Sequence, residues 1–218
     1  MKNSIIVVSL VILALSGWFG YKNFLKPQYS DTQINGPKTS EKKTEKTSLS
    51  LAIETALAQK IKVLEDISRQ PEIITAVEAQ NVINASLKKD DIQKLDTTWQ
   101  SAAGADDFIR PFITNDIGVA LATFQDNNPG FVEIFITDAY GLIAGETNKT
   151  SDYLQSDEAW WVKAYNKGIG KSYYGELEYD QSAKSESIAL YVPVYNSQKT
   201  VIGVVKGVYA ISALPNEL

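Results

Sequence analysis

The sequence predicts an α+β fold: five β-strands in one antiparallel sheet, a long N-terminal helix behind it, and one transmembrane helix ahead of both. Three observations predict it. Ile53, Leu57, Ile61 and Leu64 recur at spacings of four, four and three, the period of a helix with one apolar face. At Asn127-Asn128-Pro129-Gly130 the texture changes from helical to β-rich. Beyond that point the order reads strand, strand, helix, strand, strand, strand.

Taken in order, residues 1–4 read as a cytoplasmic N-terminus and residues 5–25 as a transmembrane signal anchor. The run from Ile5 to Gly20 is almost wholly apolar, and Tyr21, Phe24 and Leu25 extend it to the ~20 residues a spanning helix needs. Trp18, Phe19 and Tyr21 would form an aromatic belt at the outer interface. The competing reading is a cleaved signal peptide, with Ala14-Leu15-Ser16 as its cleavage site; bulky Trp18 and Phe19 favour the anchor. Lys2 on one side and Lys22 and Lys26 on the other leave the orientation open. Residues 26–47 hold two prolines and almost no apolar side chains, and read as a polar linker.

Residues 48–218 read as one domain. Its long helix covers 49–70, where Pro71 closes it, and shorter helices follow to residue 128, with Phe112–Phe124 apolar enough to pack on a sheet. Strands are expected at 131–137 and 142–146, joined by the turn Asp138-Ala139-Tyr140-Gly141. A helix over 157–167 ends at Gly168, and strands follow at 173–180, 187–195 and 200–211.

Composition excludes much chemistry. The chain has no cysteine and no histidine, which removes disulfides, thiol nucleophiles, Cys/His zinc sites and imidazole bases, so neither an enzyme nor a cofactor is expected. Residues 1–47 carry seven Lys against three acids, and residues 48–218 carry 14 Lys/Arg against 23 Asp/Glu. An acidic folded part repels phosphates, so nucleic acid is no partner. Gly168-Ile169-Gly170-Lys171-Ser172 imitates the end of a phosphate loop, but Tyr165 stands where the first glycine is needed.

The segment 151–183 (SDYLQSDEAWWVKAYNKGIGKSYYGELEYDQSA) is the informative one. Trp160 and Trp161 point about 100° apart on a helix, so one packs while the other lines a surface. An aromatic wall with polar groups around it is how small-ligand pockets are built. The bland alternative is that both merely cover the sheet. Asp152, Asp157, Glu158 and Asp180 could set carboxylates beside that wall and suit a cation, either an amine or a divalent metal. Against this, Asp157 and Glu158 also suit a helix N-terminus, and Lys206 could pair with Asp180 and neutralise it.

FITDAYGLIAGETNKTSDYLQSDEAWW, EYDQSA and SIALYVPVYNSQKTVIGVVKGV, in this order, resemble a single Cache domain, the PAS-like (PDC-type) extracytoplasmic sensor of histidine kinases and chemoreceptors. The resemblance covers residues 48 to about 214 and implies a PAS-like sheet, an outward-facing domain and a small-molecule ligand. Members that bind amino acids or amines share a tyrosine, an arginine five residues on, two adjacent aromatics and a late aspartate. Tyr153, Trp160 and Trp161 match; Glu158 stands at the arginine, and Tyr209 or Ala210 at the aspartate. Without the arginine, the bidentate grip on an α-carboxylate is missing.

The expected site is a pocket beneath loop 147–156 walled by Tyr153, Trp161, Tyr173 and Tyr191, with Asp180 as polar anchor. Asp157, Glu158, Trp160 and Lys206 complete the candidate ligand-binding set. The ligand is expected to be an amine, an organic acid or a divalent cation. The chain ends after its last strand, so a sensing role is expected to act through a separate signalling protein, with a homodimer through the 49–70 helix. Two other readings stand beside it: a pocketless dimerisation or docking module of the same fold, and a hydrolase built on Asp157, Glu158 and Asp180.

Overall fold

A computed structural model describes residues 49–104, 106–180 and 185–214. The expected anchor at 5–25 and the linker at 26–47 lie outside the described residues. Among the described residues no helix is long and apolar enough to cross a membrane. They belong to one compact unit, Thr47–Leu218.

Helix α1 (Leu51–Ser68) starts at Ser50, whose hydroxyl accepts from the Ile53 amide at 3.3 Å. It buries Leu57, Leu64 and Ile67. Pro71 opens α2 (Pro71–Asn84), where its missing N–H costs nothing. Helix α3 follows (Lys89–Ser101). The expected helix over 112–124 is two: α4 (Arg110–Thr114) and α5 (Asp116–Asn127). Asn115 divides them because its Oδ1 accepts from the Gly118 amide, capping α5, while its Nδ2 donates to the Ala144 carbonyl.

The strands are β1 (Phe131–Asp138), β2 (Ile143–Glu146), β3 (Tyr173–Asp180), β4 (Ser185–Tyr195) and β5 (Val201–Ala210). They form one sheet in the order β2-β1-β5-β4-β3, antiparallel throughout. The expectation of a five-stranded antiparallel sheet with a long helix behind it is met. Pro193 is tolerated inside β4 because β3 pairing begins at Tyr173↔Tyr191, leaving Pro193 beyond the end of β3.

The expected helix over 157–167 is shorter: α6 (Ala159–Tyr165). Asn166 and Lys167 take left-handed conformations, φ 47 and 57, which stop α-helical propagation two residues early.

The sheet divides the apolar interior. On one face Ile134, Ile136, Ile188, Leu190, Val192, Val205 and Tyr209 pack against α1, α2 and α5 through Leu57, Leu64, Ile73, Val77, Ile117 and Leu121. The other face carries Phe135, Tyr191 and Val204, and the 147–158 loop and α6 cover it.

Candidate functional site

Direct cross-strand partners carry their side chains on the same face of a sheet. Phe135 pairs with both Glu146 and Lys206, Lys206 also pairs with Tyr191, and Tyr191 also pairs with Tyr173. One row therefore crosses all five strands: Glu146, Phe135, Lys206, Tyr191, Tyr173. It holds a carboxylate, a ring, an ammonium and two phenols, on the face that α6 covers.

Trp160 closes over the middle of that row. Its indole stacks on Tyr191 with centroids 5.0 Å apart and planes 15° apart, and meets Phe135 edge-on at 5.9 Å. The Lys206 ammonium lies 5.3 Å from the centroids of both the Phe135 and Trp160 rings. The Tyr173 hydroxyl donates to the Trp160 carbonyl at 2.9 Å, its ring sits 4.7 Å from that of Tyr191, and the Lys163 ammonium lies 3.9 Å over it. Two cations are thus seated on one aromatic wall. Burial pushes the Tyr173 phenol up to about 12 and raises Tyr191 further, where Tyr173, Glu178 and Glu158 add to the effect. Both phenols stay neutral donors.

Trp161 has the opposite fate. It is 7% exposed, stacks on Tyr165 at 4.5 Å, and donates its indole N–H to the Thr137 hydroxyl at 2.8 Å. Its polar atom is consumed inside the fold, so the half-buried wall belongs to Trp160.

Tyr153 is 3% exposed and packs on Trp99 and Phe112, with centroids 5.3 and 5.6 Å away. The space expected beneath loop 147–156 is filled by the protein's own rings. The Tyr153 phenol hydrogen-bonds to Asn84, and burial, reinforced by the Asp138 charge, raises it to about 12. Asn84 in turn donates to Asp138 Oδ2 at 2.7 Å.

The carboxylates separate. Asp157 and Glu158 are exposed, and Glu158 makes no capping hydrogen bond to α6. Asp152 Oδ1 accepts from Ser151 and from the Gln155 amide. Asp180 pairs with Ser185 at the far end of β3, seven residues from Tyr173, so about 20 Å of strand separates it from the row. On the backbone, Asp180 thus stands well along β3 from the register of Lys206, where the expected pair would have set it. Among the described residues no group of three or more His, Cys, Asp or Glu is placed to hold a metal ion.

Sequence reasoning missed the residues that hold the loop. Asp96 on α3 is buried; its Oδ1 accepts from the Tyr153 and Leu154 amides at 2.8 and 3.0 Å. Trp99, one turn on, donates to the Thr150 carbonyl at 3.0 Å. Glu146 was missed as well. It is fully buried, its Oε2 accepts from the Thr150 amide at 3.0 Å, and its Oε1 has no hydrogen-bond partner. Burial pushes its carboxyl up to about 7. The pairing Phe135↔Glu146 places the carboxyl beside the ring, and that register is not readable from the strand pattern alone.

No family model and no curated relative matches the chain. Solved structures do. The sensor domain of the Vibrio cholerae histidine kinase DctB is 13% identical over 74% of this chain and 51% of its own, with a TM-score of 0.41. The E. coli DcuS sensor domain is 17% identical over 56% of this chain and 88% of its own, with a TM-score of 0.33. The ligand-binding domain of the Campylobacter jejuni chemoreceptor Tlp3, in complex with L-valine, is 14% identical over 73% and 61%, with a TM-score of 0.36. The chain spans about half of the DctB domain and three fifths of the Tlp3 domain.

Proposed function

We propose that residues 48–218 are a Cache-type sensor domain that binds a small organic anion at the row Phe135, Lys206, Tyr191, Tyr173 beneath Trp160. Residues 5–25 tether it to the membrane with the domain outside, and the bound state passes through α1 to a partner protein. The observation that carries the ligand class is the placement of Lys206. Its ammonium lies among aromatic rings, and none of the ion pairs of the described residues includes it. A cation so placed gains from an incoming carboxylate, while a cationic ligand would meet Lys206 and Lys163 as like charges. Asp157 and Glu158 are exposed, and although the Glu158 charge reaches Tyr191, the two ammonium groups seated on the wall favour an anion over the cation read from the acidic residues. An organic acid, named among the expected ligands, fits.

The test is calorimetric titration of the full chain with short carboxylic acids and, in parallel, with amines. Saturable binding of a carboxylate that weakens at least about tenfold in Lys206→Met supports the reading. Binding of amines alone, or carboxylate binding indifferent to Lys206→Met, would falsify it. The docking-module alternative has one observation in its favour, the filling of the space beneath the loop by Tyr153, Trp99 and Phe112. It predicts no binding in either series.

A further inference from the structure

The chain that leaves β2 toward α6 is fastened at two points. At Thr147 the amide donates to the Ile134 carbonyl at 2.9 Å, and the hydroxyl accepts from the Ile134 amide at 3.1 Å. At Tyr153 and Leu154 both amides donate to Asp96 of α3. Of the five residues between, 148–152, Thr150 alone is buried. Its amide donates to Glu146 Oε2 at 3.0 Å, and its carbonyl accepts from the Trp99 indole at 3.0 Å. The segment therefore closes on the domain through one residue, and half of that closure is a carboxyl.

That carboxyl is poorly provided for a charge. Glu146 is fully buried, and among the described residues its Oε1 is the one buried side-chain oxygen without a hydrogen-bond partner. An ionised carboxylate accepts at both oxygens, and burying it with one unmet is costly. A protonated carboxyl brings no charge into the interior, and its carbonyl oxygen still accepts the Thr150 amide. The closed segment thus favours the neutral acid, and lifting it hydrates the anion. We infer that residues 148–152 are a proton-controlled strap: Glu146 latches Thr150 while it holds its proton, and losing the proton releases the segment. Release uncovers the Glu146 end of the sheet while Thr147 and Tyr153 stay fastened, whatever ligand the row takes.

The charges around Glu146 do not supply what Oε1 lacks. Glu133 on β1 disfavours its anion and Lys149 in the strap favours it, so the two oppose each other. Lys206 stands two strands away with its ammonium over the Phe135 and Trp160 rings, and Lys163 of α6 lies over Tyr173 at the far end of the row. Asp96 of α3 is taken up by its two amides. On α4 and α5, which also pack on β2, Arg110 is paired with Asp107 at 3.1 Å and Asp116 is exposed. Burial, not a neighbouring charge, is what holds the proton on Glu146.

Hydrogen exchange at single amides of the full chain tests this, corrected for the pH dependence of chemical exchange. Thr150 is expected to open at least about a hundredfold more often than the central amides of β5, which report global unfolding. With the carboxyl at about 7 when latched and 4.5 when released, opening at Thr150 rises roughly thirtyfold between pH 5 and 7 and then levels off. Glu146→Gln keeps an acceptor for the Thr150 amide but has no proton to lose, so its Thr150 opening stays within about twofold over that range. Trp99→Phe removes the indole donor and leaves Glu146 in place. It raises Thr150 opening at every pH while preserving the slope, and serves if the glutamine variant fails to fold. Thr150 exchanging in step with β5 overturns the strap, since the carboxyl is then reached only by unfolding the domain. Thr150 opening indifferent to pH in the wild type, or a slope unchanged in Glu146→Gln, overturns the control by Glu146.

Discussion

At the scale of single residues, two carboxyls are held out of water at opposite ends of the first hairpin, and each ties stability to pH. Asp138 is fully buried, and its Oδ1 accepts from the Tyr140 and Leu142 amides, both at 2.9 Å. Burial nevertheless outweighs these bonds and raises it from 3.8 to about 6. Glu146 rises from 4.5 to about 7 for the same reason, with the Glu133 charge adding to it. A raised folded-state value means that the native domain holds protons the unfolded chain releases. Stability from these groups is therefore fully present only below the ordinary carboxyl values of 3.8 and 4.5, and is lost progressively as pH climbs from there through about 6 and 7. For Glu146 the difference is on the order of 2–3 kcal/mol between pH 5 and 8. Urea denaturation at stepped pH checks it: wild type loses stability from pH 5 to 8, and Glu146→Gln loses distinctly less. A wild-type curve flat across that window contradicts the burial argument.

At the scale of elements, α3 is the clamp on the covering loop. Asp96 and Trp99 reach three main-chain groups between Thr150 and Leu154. Asp96→Ala leaves one buried and one half-buried amide without their acceptor, at a cost of about 2–3 kcal/mol confined to that contact. Hydrogen exchange is expected to accelerate at Tyr153 and Leu154 while the central strands β4 and β5 keep their protection. Uniform acceleration across the sheet would mean that α3 supports the whole fold instead. The element order was legible because each strand is a local pattern of apolar alternation bounded by turn residues. The clamp was not. In KDDIQKLDTTWQS, Asp96 reads as one more polar residue on a half-exposed helix, and its partners lie 57 and 58 residues away. Likewise the double tryptophan announced one buried and one surface ring. Which was which depended on how α6 is turned against the sheet, and that is set by distant partners such as Thr137 and Tyr191 rather than by the local pattern.

At the scale of the whole molecule, the central strand β5 links the two faces. Lys206 stands in the aromatic row, and its neighbour Gly207 points to the opposite face, beneath α1. A Cβ at Gly207 would lie 2.9 Å from Leu64 Cδ1 and 3.0 Å from Phe131 Cε1. The absence of a side chain is what lets α1 settle on the sheet one residue away from the proposed ligand contact. A ligand that shifts β5 through Lys206 would therefore be felt at Leu64, and a displaced α1 would be felt at Lys206 in return. Gly207→Ala isolates the α1 end of that path. Leu64 can yield by a rotamer change, so the expected cost is about 1–2 kcal/mol rather than loss of the fold. The signature is regional: faster hydrogen exchange from Leu57 to Ile67, unchanged protection in α3, and an intact Trp160–Tyr191 stack reported by tryptophan fluorescence. If the alanine instead disturbs the Trp160 signal as strongly as α1, the sheet is a single rigid layer and transmits every perturbation alike. If α1 exchange is unmoved, Leu64 packs too loosely to carry a signal from Lys206, and the route from ligand to helix must run through another strand.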